Sequence, residues 1–108
     1  MSIDNTLIDT ADGVDGYVTV FSASGGRAIT GILFCNTSGN TDVKVTVYLV
    51  PVGQPVSARR MILNQISIPA TETFAMDSER FLLDNGDTIQ VAVDHDNILA
   101  CTVSHIGL

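Results

Sequence analysis

Two short acidic stretches hold the side chains best suited to chemistry. Asp84-Asn85-Gly86-Asp87 places two carboxylates three residues apart around an Asn-Gly pair, and Asp94-His95-Asp96-Asn97 sets an imidazole between two carboxylates. A calcium loop takes oxygen ligands from alternating positions and closes with a distal bidentate Glu. The first stretch has neither that spacing nor that Glu. Asn-Gly between two strand-like runs is instead a strong hairpin signal, because both residues accept positive φ. The stretch is therefore expected to turn the chain from a run at 81–83 into a strand at 88–94. In the second stretch, neighbouring strand residues point to opposite faces and do not converge on one ion unless the segment turns. A polar turn between two apolar strands accounts for it without a metal.

The remaining reactive residues are isolated. No Gly-x-Ser-x-Gly elbow and no Gly-rich phosphate loop is present, and His105 has no acidic neighbour in sequence. A thin domain of this size rarely encloses a deep pocket. The expectation is a protein that is not an enzyme and uses no cofactor or metal. Arg59-Arg60 is the only basic pair. It suits either a carboxylate on a neighbouring subunit or a solvated loop end. Cys35 and Cys101 lie in the apolar runs "ILFCN" and "ILACTV", where cysteine usually acts as a small buried hydrophobe. A disulfide across a sheet is an alternative, but the spacing has no zinc character. There is no Trp, and Tyr17 and Tyr48 are the only tyrosines. That weighs against a module that stacks sugars on exposed rings.

Composition narrows the partners. The chain has 108 residues, the size of one domain, with 5 Lys plus Arg against 12 Asp plus Glu and a formal net charge of −7. Nucleic acid and anionic membranes both call for a basic surface, so neither is expected. Hydrophobic residues make up 45%, charged residues only 16%, and mean hydropathy is +0.33. So few charges leave apolar surface for a protein partner. A Val/Ile/Thr-rich β domain would also score this way. No apolar run is long enough to cross a bilayer, and "MSIDNTLIDT" lacks the basic and apolar parts of a signal peptide. A reducing cytoplasm is the expected site of synthesis.

The elements that must carry these residues read as β almost throughout. Residues 1–16 hold Asp4, Asp9, Asp12 and Asp15 with no basic residue. They are expected to form an acidic N-terminal arm, loose in isolation, that orders on a neighbour through Ile3, Leu7, Ile8 and Val14. The domain proper is expected at 17–108. "YVTVFSA" reads as a strand. "RAITGILFCN" reads as a longer one, with Ala28, Ile32 and Phe34 on one face and Ile29, Leu33 and Cys35 on the other. Because both faces are apolar, it belongs in mid-sheet or at a contact. In "DVKVTVYLV" Val43, Val45, Val47 and Leu49 face the core, while Tyr48 faces solvent or a partner. Pro51–Ala58 is a loop. Strands follow near 62–68 and at "TFAM", "TIQVAVD" and "ILACTVSHI". Asp77 or Ser78 could cap a helical turn through Leu82. Seven or eight short strands with regular turn signals predict an all-β fold: a single antiparallel β-sandwich, Ig-like or jelly-roll-like.

The order of segments "AITGILFCNTSGNTDVKVTVYLVPVG", "ISIPATETFAMDSERFLLDNGDTIQVAV" and "ACTVSHIGL" resembles the small β-sandwich structural proteins of tailed-bacteriophage particles. The resemblance covers roughly Ala28 to Ile106. It implies a non-enzymatic virion component, with capsid cement or decoration that bridges coat subunits as the leading role. A neck, tail or fibre component is the alternative, and a carbohydrate or host-receptor binding module is a further one. The implied partners are the major capsid protein or other virion proteins. A homo-oligomer is also implied, a trimer on a capsid or a ring in a neck or tail. Partner contacts are assigned to Ile3, Leu7, Ile8, Tyr48, Arg59 and Arg60. Removal of residues 1–16 is expected to weaken attachment without unfolding the domain.

Overall fold

A computed structural model describes residues 2–8, 17–76, 80–95 and 97–108. Nine strands run through them: β1 (Ser2–Ile8), β2 (Val18–Ser22), β3 (Arg27–Asn36), β4 (Val43–Val50), β5 (Met61–Ile68), β6 (Thr73–Met76), β7 (Phe81–Leu83), β8 (Thr88–Val93) and β9 (Leu99–Gly107). A single 3-10 turn, Ala58–Arg60, precedes β5.

The pairing is that of one long antiparallel ribbon that has been rolled up. The chain doubles back near residue 55, so β4 pairs with β5, β3 with β6 and β7, β2 with β8, and β1 with β9. Rolling the ribbon then joins β3 to β9 and β4 to β8. Two sheets result. The first has the order β1-β9-β3-β6, with β7 also on β3, and the second has the order β2-β8-β4-β5. This is jelly-roll order, which selects one of the two expected topologies.

Strand alternation fills the space between the sheets. Ile29, Ile32 and Phe34 of β3 and Leu99, Cys101 and Val103 of β9 face Val43, Val45 and Val47 of β4 and Ile89 and Val91 of β8. All are essentially inaccessible. Each side chain buried this way stabilises the fold by about 1.5–3 kcal/mol. The expected faces of β3 are corrected by a bulge. Its pairing with β9 skips a residue between Ile29 and Gly31. The extra residue flips the phase, so Ile29 joins Ile32 and Phe34 inside and Ala28 joins Leu33 and Cys35 outside.

The loose arm is corrected over the residues described. Ser2–Ile8 lies along β9 of its own chain from Ser2 opposite His105 to Ile8 opposite Leu99. Ile8 is fully buried in the core and is therefore not an anchor for a neighbour. The chain supplies its own antiparallel partner, which satisfies the backbone donors and acceptors of β1 on one side. Residues 9–16, including Val14, lie outside the described residues. Removal of residues 1–16 would take the edge strand β1 and the buried Ile8 with it, so a loss of stability is expected alongside any loss of attachment. Asp77 and Ser78 also lie outside the described residues, and Phe81–Leu83 is strand, not helix.

Candidate functional site

The acidic stretch at 84–87 is a corner between sheets, which corrects the hairpin expectation. The strand before it, β7, belongs to the first sheet, and the strand after it, β8, belongs to the second. Its polar groups are consumed locally. Asp87 accepts from the Val52 N–H through Oδ1 (2.9 Å) and from the Asp84 N–H through Oδ2 (2.9 Å). Asn85 Oδ1 accepts from the Gly25 N–H (2.9 Å). The Gly86 N–H donates to the Ala23 carbonyl, and the Ala23 N–H donates to that of Asp87. Gly86 has φ +92, and a Cβ there would lie 2.7 Å from Val52 Cγ2. Glycine is thus required by both conformation and space. The corner ties together three connections of the roll.

The stretch at 94–97 is also structural. Asp94 Oδ1 accepts from the Lys44 N–H (2.8 Å) and lies 3.0 Å from His95 Nδ1. Burial pushes the Asp94 carboxyl up, but the Lys44 amide and His95 together outweigh it and hold the group below its ordinary range. Asp96 lies outside the described residues. Among the described residues, no three His, Cys, Asp or Glu side chains come together as a metal site.

Two of the residues expected at partner contacts make internal contacts. Arg60 donates to the Pro55 carbonyl (3.0 Å), Ser57 Oγ (2.7 Å) and Gln54 Oε1 (3.3 Å), bracing the long loop before β5. Tyr48 is buried, with its ring edge-on to Tyr17 at 5.3 Å. Burial and then the Tyr17 phenol push its hydroxyl pKa up. Arg59 remains exposed. The two cysteines cannot meet. Phe34 pairs with Cys101 while Cys35 pairs with Ala100, so the thiols lie on opposite faces of the first sheet. Both are free, and burial pushes Cys101 up to about 12.

His105 stands out. It points inward from β9, tilted against Phe21 at 4.6 Å, and both ring nitrogens are buried without a hydrogen-bond partner. Asp4 Oδ2 lies 3.5 Å from Nε2, a contact too loose to satisfy it. Sequence spacing hid this pairing because Asp4 and His105 meet only through the pairing of β1 with β9.

The remaining feature is the outer side of the first sheet. The register places Ile3, Asn5 and Leu7 of β1 outward beside Ala100, Thr102, Ser104 and Ile106 of β9. Gly31, Leu33 and Cys35 of β3 follow, then Thr73 and Ala75 of β6, with Leu82 of β7 beside Ala28. None of these strand positions carries a charge. Five are large apolar side chains open to solvent, from Ile106 at 39% to Leu82 at 73%. Ile3 and Leu7, expected in an arm, belong to this face. Leu33, Leu82 and Ile106 are not among the contacts expected from the sequence. The signal that could have found them is the two-sided apolar pattern of β3. The outer side of the second sheet is different. It carries Gln90 and Ser67, and a shallow depression of about 340 Å³ bounded by Lys44, Thr46, Gln65, Ala92 and Asp94.

No protein-family model, curated protein or solved structure matches this chain.

Proposed function

We propose that the chain is a non-enzymatic structural component of a tailed-phage particle, a cement or decoration protein that bridges and stabilises coat subunits. The observation that carries this reading is the uncharged outer face of the first sheet on a chain of net charge −7. A soluble monomer gains nothing from exposing Ile3, Leu7, Leu33, Leu82 and Ile106 on one side. A lattice protein uses such a side against a neighbour, where apolar burial drives association without charges to desolvate. The segment order that resembles tailed-phage sandwich proteins supports the same reading, and a jelly roll is an architecture that capsid proteins use.

Quantitative mass spectrometry of purified particles tests it. Copies on the order of hundreds per particle fit a capsid lattice, while about a dozen fit the neck, tail or fibre alternative. Absence of the chain from purified particles contradicts both.

A further inference from the structure

Rolled against β2-β8-β4-β5 on its inner side, the first sheet has nothing among the described residues packed on its outer side. We infer that this face is a self-association surface, and that its occupant is a second copy of the same chain, face to face across a two-fold axis. This deepens the assembly reading above and rests on the chain working in an assembly.

Charge selects the occupant. Two copies at −7 each repel, so a close contact between them costs least where neither presents carboxylates. The outer strand positions of the first sheet meet that condition. A basic partner would place its cations against Leu33 and Ile106 with no carboxylate to pair them, which is costly. An apolar, uncharged partner suits the face, and the chain itself carries one.

Relief also suits a copy. Leu33 stands at mid-sheet with Ala75 on one side and Thr102 on the other, and Gly31 lies beside Ser104. Bulky side chains thus alternate with small ones. Two such faces can be set across a two-fold axis with projections of one copy in hollows of the other, as packed sheet faces interdigitate. Four strand columns about 4.8 Å apart and seven to ten residues long give a footprint of about 500 Å² per copy. The pair therefore covers about 1,000 Å², enough for a specific contact but below the size of a tight one. A reversible dimer is the consequence.

Cys35 reports on the face directly. Its thiol lies on this side, partly exposed, while Cys101 is buried on the other. The test combines sedimentation of the full chain from about 1 μM to 1 mM with the rate of Cys35 alkylation by a maleimide over the same range. The expected result is a mass that doubles with concentration and a several-fold slower Cys35 reaction at the high end. In Leu33→Glu, and independently in Ala75→Glu on the exposed edge strand β6, both effects should vanish while the far-UV spectrum and melting transition persist. A monomer at every concentration overturns the inference. So does a dimer that survives both substitutions with Cys35 reacting at the monomer's rate. A chain that attaches to particles yet stays monomeric when free overturns this inference and leaves the particle reading standing. A dimer that never appears in particles does the reverse.

Discussion

The two outer faces of the roll obey the same alternation yet are finished differently. On the second sheet, several outward positions are engaged by local contacts. Gln90 Nε2 donates to Thr88 Oγ1 (3.1 Å), the Gln65 N–H donates to Thr46 Oγ1 (3.1 Å), and Tyr48 is covered by Tyr17. On the first sheet, among the described residues, a single bond, from Thr102 Oγ1 to Asn5 Oδ1 (2.8 Å), links side chains across an otherwise unbonded, uncharged surface. A face laced by its own hydrogen bonds is complete in water. A face of Leu, Ile, Ala and Thr without charges becomes complete when something covers it. The difference shows how one β-sandwich can keep a solvent side and a contact side without any change of fold.

The sharpest way to break this comparison lies within one strand. Phe34 and Leu33 are neighbours on β3, one fully buried and one 43% exposed. Phe34→Ala should cost about 3–5 kcal/mol in chemical denaturation. Leu33→Ala should stay within about 0.5 kcal/mol for the monomer. Equal losses would mean that Leu33 is a core residue and that the face is not free.

Gly86→Ala comes next. It strains a residue at φ +92 and drives a methyl into Val52, so a loss of about 2 kcal/mol or more is expected from the corner that holds the two sheets in register. An unchanged melting temperature would show that the corner relaxes without cost. His105→Phe should raise stability by about 1 kcal/mol, because it removes two buried nitrogens that lack partners and keeps the ring against Phe21. A loss instead would mean that the Asp4 contact matters more than its 3.5 Å length suggests.

The smallest effect belongs to the polar rim of the second sheet. The Asp94 carboxyl sits below its ordinary value of 3.8 in the folded chain, so it stabilises the fold above that value and loses this contribution as pH falls through the folded value. The side chain is half exposed, so the contribution is a few tenths of a kcal/mol. Asp94→Asn should therefore destabilise slightly at neutral pH, and the difference from the unsubstituted chain should shrink as pH falls below the ordinary carboxylate value. A difference that grows toward acid would contradict the assignment.

Much of the architecture is legible in the residues. The valines of β4 at every second position and the span of β3 follow from period-two alternation. What local pattern misses is long-range pairing. Nothing in "SIDNTLI" says that it will lie beside the far end of the chain, and so β1 reads as an arm. The β3 bulge reversed one set of faces because a single unpaired residue is invisible to alternation. The corner at 84–87 read as a hairpin because its Asn-Gly turn is the same whether the flanking strands pair or diverge into two sheets. The contact face escaped notice for the same reason, since its residues come from five strands and become one surface only through the register.

Side-chain footprinting with hydroxyl radicals across a concentration series tests the central claim most directly. Leu33, Leu82 and Ile106 should become protected as the chain associates, while Met61, opposite Tyr48 on the second sheet, keeps its dilute reactivity. Protection at Met61 with Leu33, Leu82 and Ile106 unchanged would contradict it.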